Sequence, residues 1–487
     1  MTDATPKLTW IETNVPQRLD RLPWSRWHWL VVIGLGVTWI LDGLQVTLTG
    51  AIAAVLQDKR TLALSADQIG MSASCYLTGA VIGALIFGYA TDKYGRKKLF
   101  YITLCVYLCA AALTAFSWNF ASYACFMALA GSGIGGEYAA INSAIDELIP
   151  ARVRGRVDLI INSTYWLGAM LGAGATVILL NEKYFPVGTG WRISYAIGAV
   201  LGLGVLFIRH WVPESPRWLM VHGRNQEAED IISKIEAQIG GADTLPAIEE
   251  RPLRIAIQHK TPWKEIWLTL VKVHRTRTFL GLTLMASQAF FYNAIFFTYA
   301  LVLKNFYAVK PSEVSWYILP FAMGNLLGPI ILGRSFDTIG RKPMIVITYA
   351  TSGILLAITA FMFQHNMLTA QTQSFAWIAI FFIASSAASA AYLTVSELFP
   401  LEMRGLAIAI FFAAGTLIGG VGAPWIFASL IQAGRDQLAI GYFIGAGLMV
   451  FAAGVEAIFG VAAEGKSLES ITAPLTSQEN VVSLTQN

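Results

Sequence analysis

From Trp27 to Ala462 long apolar stretches alternate with short polar turns, and one polar interval, 209–277, interrupts the alternation. About 20 apolar residues in a helix cross the ~30 Å of bilayer hydrocarbon. By that measure the first block predicts six spans, Trp27–Val55, Gln68–Thr91, Leu99–Phe116, Ser122–Leu148, Val157–Leu180 and Trp191–Ile208. The second block predicts six more, Thr278–Phe306, Ser312–Phe336, Pro343–Phe363, Ser374–Leu398, Leu406–Ile431 and Leu438–Ala462. The expected fold is an all-α membrane protein of twelve transmembrane helices in two pseudo-symmetric six-helix bundles, 27–208 and 278–462. Flanking and joining them are an N-terminal segment (1–26), a linker (209–277) and a tail (463–487).

In the linker, Ala228, Ile231, Ile232, Ile235 and Ile239 fall on one helical face with acids and lysine opposite, so 225–239 is expected to be an amphipathic helix lying against the bundle. The first 26 residues are polar and lack the apolar centre of a signal peptide. The tail after Ala463 is polar, expected to be mobile past Ile471, and is assigned no chemistry.

Composition sharpens this picture. With 55% hydrophobic and 13% charged side chains the chain suits a bilayer and not water. The net charge of +4 does not point to nucleic acid, because the basic residues sit in short turns without interleaved aromatics. They follow the positive-inside pattern: Lys93, Arg96, Lys97 and Lys98, then Arg152, Arg154 and Arg156, then Arg334, Arg341 and Lys342 lie in alternate turns. Those turns and both termini are expected in the cytoplasm, in a plasma (inner) membrane. Cys75, Cys105, Cys109 and Cys125 all fall in apolar runs and read as small core residues.

Two phrases occur twice. Gly88-x-x-x-Asp92-x-x-Gly95-Arg96-Lys97 returns as Gly333-x-x-x-Asp337-x-x-Gly340-Arg341-Lys342, an offset of 245 (337 minus 92). Glu147-x-x-Pro150-x-x-x-Arg154-Gly155 returns as Glu397-x-x-Pro400-x-x-x-Arg404-Gly405, an offset of 250 (397 minus 147). The chain is a tandem duplication of one membrane half.

The doubled pattern resembles the major facilitator superfamily, whose signature loop joins its second and third helices and again its eighth and ninth. The resemblance implies a carrier with a central cavity that opens alternately to the two sides. It also implies that Asp92, Arg96, Glu147, Arg154, Asp337, Arg341, Glu397 and Arg404 form a cytoplasmic gate, paired as Asp92 with Arg96, Glu147 with Arg154, Asp337 with Arg341 and Glu397 with Arg404.

Carboxylates deep in a membrane are costly without a partner, water or a proton. Asp42 lies midway along the first span, and Glu137 lies ten residues, ~15 Å of helix, before Glu147; both are candidates to carry a coupling proton. Glu456 lies close enough to the end of the last span for snorkelling to explain it.

Branch features are mixed. Asp42-Gly43 resembles the first-helix phrase of aromatic-acid proton symporters, with Gln45 at their second Asp, and Gly135-Gly136-Glu137-Tyr138 is similar to a phrase of metabolite proton symporters. Pro213-Glu-Ser-Pro-Arg-Trp-Leu219 resembles the phrase closing the sixth helix of sugar porters. Likeness to sugar porters also implies substrate contacts at Asn162, Gln288, Tyr292 and Asn293, with Tyr392 where that family carries a Trp and Met127 where it carries an Arg. Such amides bond a polyol, a carboxylate or a carboxamide equally well.

No phosphate-binding loop, paired metal-spaced histidines or nucleophile elbow is present, so no catalytic or metal site is expected and no cofactor beyond a coupling proton. The expected function is secondary transport of a small polar metabolite, a sugar or organic acid, by proton symport. The expected partners are that small molecule and the lipid bilayer, without nucleic acid, and a monomer suffices. A uniporter or a proton-driven exporter is the alternative, and a non-transporting receptor a further one. Leu167-Gly-Ala-Met-Leu-Gly172 lacks the Pro that the fifth-helix signature of antiporters carries.

Overall fold

In the computed structural model, residues 10–475 are described except 242–244, 249–251, 257–261, 297 and 310–312. Six membrane helices form the first half: α1 (Arg26–Leu56), α2 (Ala66–Tyr94), α3 (Arg96–Ala115), α4 (Phe120–Leu148), α5 (Arg154–Leu179) and α6 (Val187–Ile208). The second half repeats them as α7 (Arg275–Phe296), α8 (Val314–Thr338), α9 (Arg341–Gln364), α10 (Ala370–Leu398), α11 (Arg404–Gly415) and α12 (Arg435–Phe459). A further helix, Tyr299–Tyr307, follows α7, and a π-helical turn (Thr416–Val421) and the helix Ala423–Ala433 follow α11.

Local sequence sets the ends. Ser65 with Gln68, Asn119 with Ser122 and Thr369 with Thr372 make reciprocal caps that start α2, α4 and α10. Gly95 and Gly340 stand at φ +98° and +121°, where a side chain is strained, and turn the chain sharply from α2 into α3 and from α8 into α9.

Among the described residues, eleven helical stretches are long and apolar enough to cross a membrane, and α5 is not one of them. Its Asn162, Ser163 and Thr164 dilute the apolar run. A helix that turns this side to the interior and is wrapped by its neighbours needs less apolar surface than one that meets lipid. Within the first half, glycines bring backbones together. A Cβ on Gly43 would lie 1.9 Å from the Tyr165 carbonyl oxygen, and one on Gly135 would lie 1.9 Å from that of Ala80, so α1 lies directly on α5 and α4 on α2. The halves meet where α2 packs on α11 and α5 packs on α8.

The polar segments are more ordered than their composition implies. Strand β1 (Trp10–Thr13) pairs antiparallel with β2 (Leu253–Ala256) of the linker. The linker helix Asn225–Ile239 buries Ala228, Ile232 and Ile235. Arg18, in the short helix Val15–Asp20, and Arg21, at its end, grip Glu236 of the linker helix at 2.5 and 2.6 Å. The tail also takes part: Glu469 pairs with Arg217 at 3.1 Å, and the Leu475 amide donates to Glu402. Residues 476–487, where mobility was expected, lie outside the described residues.

Two readings from hydropathy are corrected. Cys105, Cys109 and Cys125 are exposed on the outer surface of the bundle and Cys75 is half-buried, because a surface facing lipid is as apolar as a core. Glu456 does not snorkel: it is 1% exposed and shut inside α12's packing.

Candidate functional site

At the end of the bundle that carries the basic turns, the two repeated phrases close on each other. Arg96 is buried between Asp92 (3.3 Å) and Glu147 (2.7 Å). Arg341 is held by Asp337 (2.6 Å) and Glu397 (3.1 Å) in the same way. Asp92 also accepts the Gly405 and Leu406 amides that open α11, at 3.1 and 2.8 Å. Asp337 accepts those of Gly155 and Arg156 that open α5, at 3.1 and 2.8 Å. Each acid thus caps a helix N-terminus of the opposite half, where amides and dipole favour a negative charge.

The remaining pairs cross over. Glu147 and Arg154 were expected to pair within one half, and Glu397 and Arg404 within the other. Instead Arg154 faces Glu397 at 3.6 Å and Arg404 faces Glu147 at 3.7 Å. A 3₁₀ turn between Pro150 and Arg154, and another between Pro400 and Arg404, points each arginine away from its own half and at its neighbour.

Three contributors to this end were not legible beforehand. Glu214 accepts the Arg96 amide at 2.9 Å, and Glu464, 250 residues on (464 minus 214), accepts the Arg341 amide at 3.2 Å. Burial raises Glu214 above the usual carboxylate range, against the pull of the Ser215, Lys97 and Arg96 amides and the Arg96 charge. Asp20, from the N-terminal segment, accepts from Arg217 (3.0 Å) and Arg154 (3.4 Å). Arg217 in turn caps α4 by donating to the Asp146 and Glu147 carbonyls.

Deeper in the bundle, Asp42 is 3% exposed and accepts hydrogen bonds from the Tyr76 hydroxyl (2.9 Å) and the Tyr138 hydroxyl (3.2 Å). No described cation forms an ion pair with it. Tyr138 stacks on Phe412 of the second half (centroids 4.4 Å apart) and leans on Tyr392 (5.8 Å), so the partner of Asp42 touches both halves. Gln45, one turn from Asp42, bonds Tyr107 at 2.5 Å. Glu137 differs: it pairs with Arg209 at 3.0 Å, and that arginine also bonds Thr38 and lies over Phe100. A cation reaches the first half's core from the end of α6, not from position 127, where Met127 packs on Tyr195.

The amides are spread along the interior. Asn162 donates to the Asp158 carbonyl and to Asn142, Asn293 to the Ala289 carbonyl, and Gln288 stands beside Tyr392. Tyr292 donates to Asn325 at 2.9 Å, a buried amide that hydropathy hides inside an apolar run. Aromatic faces join them across the halves: Trp166 meets Tyr292, Phe296 and Phe321 at centroid distances of 6.1, 5.3 and 5.7 Å. The structure thus brings Tyr292 and Tyr392 to the interface with the first half, and keeps Asn293 bonded to its own helix and Asn162 to its own helix and to Asn142 of α4.

A duplicated bundle with this doubled hinge and a polar interior is matched by a family model described as sugar (and other) transporter, over residues 43–475. The chain belongs to that family. The niacin transporter NiaP of Acinetobacter baylyi is 26% identical over 461 residues, covering 94% of this chain and 99% of its own. The myo-inositol transporter 2 of Schizosaccharomyces pombe is 27% identical over 425 residues, covering 84% and 74%. In fold, this transporter superposes on the major facilitator proton:xylose symporter XylE bound to 6-bromo-6-deoxy-D-glucose with a TM-score of 0.78 at 21% identity, over 92% of this chain and 99% of that one. Against the inward-open conformation of XylE from E. coli the TM-score falls to 0.64 at 21% identity, over 92% and 99%.

Proposed function

We propose that this chain is a secondary active transporter that takes up a small ring-shaped polar metabolite, a sugar or organic acid, by alternating access and in symport with protons. The observation that carries the coupling is Asp42: a buried carboxylate without a cation, hydrogen-bonded to Tyr76 and to a tyrosine that stacks on the opposite half. An uncompensated carboxylate in low dielectric takes up a proton, and a cavity that opens to either side in turn lets it load and unload. Glu137, already neutralised by Arg209, supports that site without carrying the proton.

The substrate lies between Trp166 and Tyr138 on one side and Tyr292, Tyr392 and Gln288 on the other, its ring against aromatic faces and its polar groups on amides and hydroxyls. Asn162 and Asn293 line the same path. The relatives that carry niacin and myo-inositol bracket this chemistry, a flat acid and a polyol. The basic end faces the cytoplasm of a plasma (inner) membrane, with both termini there, and its ion pairs hold the outward-facing state. Each half supplies one wall, so a monomer suffices.

The test is uptake of niacin, myo-inositol and xylose into proteoliposomes, with and without an inward proton gradient, by wild type and Asp42→Asn. Gradient-driven accumulation of one of them, lost in the variant while exchange persists, is expected. Equal transport with and without the gradient in both proteins makes it a uniporter.

A further inference from the structure

Asp146 and Asp158 sit within the closed basic end, and neither belongs to a repeated phrase. At the same offset of 250 the second half has Ser396 (396 minus 146) and Ile408 (408 minus 158). Both aspartates are 0% exposed; the Ser396 hydroxyl lies beside the Asp146 carboxylate and the Asn162 amide beside that of Asp158, but none of the four oxygens accepts a well-formed hydrogen bond among the described residues. The polar side chains beside them are committed elsewhere: the Ser396 hydroxyl donates to the Leu393 carbonyl and the Asn162 amide to the Asp158 backbone carbonyl.

The surrounding arginines each face another acid, although Arg154 Nε and Arg404 Nε and Nη1 make no hydrogen bond among the described residues. Arg154, Arg404 and Glu397 act on Asp146, and Asp146, Glu397 and Arg341 act on Asp158. Those arginines serve other acids: Arg341 holds Asp337 and Glu397, Arg154 faces Glu397 and Asp20, and Arg404 faces Glu147. Arg96 is taken by Asp92 and Glu147, and Arg217 by Asp20 and Glu469. The doubled acids and bases balance one to one, which leaves Asp146 and Asp158 as surplus negative charge in a dry interior. Burying an unpaired carboxylate costs several kcal/mol, and such a group takes a proton instead.

We propose that Asp146 and Asp158 form a protonation site that has to be filled before the basic end can close. The proton bound on closing is released when α5 and α10 part and water reaches both carboxylates. The site sits apart from Asp42, on α4 and α5 at the gate itself. It rests on the alternating-access reading above but not on Asp42 being the coupling acid. The sign follows from linkage: the closed state binds more protons, so acid favours closure and alkali favours opening, by up to about tenfold in the open-to-closed ratio per pH unit for one proton.

The experiment needs no substrate. Hydrogen exchange of the purified full-length protein is followed in the 88–98 and 333–342 turns from pH 6 to pH 8, corrected for the intrinsic rate of exchange. Wild type is expected to lose protection in both turns as pH rises, by up to about tenfold per unit. The Asp146→Asn/Asp158→Asn double variant is expected to stay protected throughout, and Asp42→Asn is expected to keep the wild-type response. A pH-independent wild type, or a double variant with the wild-type response, overturns the proposal. Loss of the response in Asp42→Asn also overturns it, by moving the titration to the central site. Should the double variant not fold, Asp146→Ser and Asp158→Asn are compared with wild type by infrared spectroscopy at neutral pH. Loss of protonated-carboxyl intensity in at least one supports the site, and unchanged spectra in both overturn it.

Discussion

The two halves share a hinge and differ in nearly everything inside it. In the first half α1 runs unbroken for 31 residues, α2 has no internal proline and α5 is continuous for 26. In the second, α8 contains Pro320 and Pro329, and α11 gives way to a π-helical turn. Away from the doubled hinge, most buried charges lie in the first half, with Asp42, the Glu137–Arg209 pair, Asp146 and Asp158, against Glu456 in α12 of the second. The second half supplies Tyr292, Phe321, Phe381 and Tyr392. A buried ion pair loses most of its value when misaligned, whereas stacked rings tolerate a small slide. Duplication thus left the first half with straighter helices and most of the buried acids, and the second with interrupted helices around an aromatic cluster.

The largest test of that division is at the crossed pairs, where the halves ought to count equally. Arg154→Ala and Arg404→Ala each leave a buried carboxylate with one arginine in place of two, Glu397 with Arg341 and Glu147 with Arg96, at a cost of about 1.5–3 kcal/mol. Uptake rates in proteoliposomes are expected to fall about 100-fold in both, with partial recovery in Glu147→Arg/Arg404→Glu. A large inequality between the two single variants would show that the halves are not equivalent even at the hinge.

The next probes pliability. Cys75 occupies in α2 the place of Pro320 in α8 (320 minus 245). Cys75→Pro is expected to destabilise the straight helix by about 3 kcal/mol and to lower the yield of folded protein. Pro320→Ala is expected to keep the fold and slow turnover several-fold in the same uptake assay.

A smaller contrast lies at the paired glycines. A Cβ at Gly155 would fall 2.2 Å from an Arg341 nitrogen, and one at Gly405 would fall 2.8 Å from an Asp92 oxygen. Both Ala variants are expected to lose about 1–3 kcal/mol, Gly155→Ala the more, read as the lower Tm by thermal unfolding.

The smallest effect concerns the segments outside both halves. Burial pushes Glu236 up, but hydrogen bonds and charge from Arg18 and Arg21 outweigh it and hold the carboxylate below its usual range. The grip on the N-terminal segment is therefore present above the unfolded pKa and lost as pH falls below about 4. Hydrogen exchange of β1 is expected to rise there, and in Glu236→Gln to be fast already at neutral pH.

The duplication, the helix count and the acids of the hinge were legible because their spacing is rigid: Asp92 and Arg96 are one turn apart and can only meet each other or a neighbour. Which neighbour was not legible, since pairing of Arg154 with Glu397 depends on how two halves dock and not on any local spacing. Arg209 was missed as the partner of Glu137 because it reads as an ordinary charge at a helix end. Asn325 was missed because a single amide does not disturb an apolar run. The lipid-facing cysteines were misplaced for the complementary reason, that hydropathy separates water from grease and is blind to which grease a residue meets. The signal that could have exposed Asp146 and Asp158 was present in the repeat itself, as carboxylates facing Ser396 and Ile408 in the alignment of the halves.

The crossing of Glu147 with Arg404 and of Glu397 with Arg154 also bears on how the chain is made. A first half newly threaded into the membrane holds Arg154 without Glu397 and Glu147 without Arg404 until synthesis reaches α10 and α11. In that half Glu147 has Arg96 and Arg154 has Asp20, but the amides that open α5 lack Asp337. Completion of the polypeptide is thus written into the hinge: each half receives from its twin the acid that caps one of its helices and the second partner of a crossed charge.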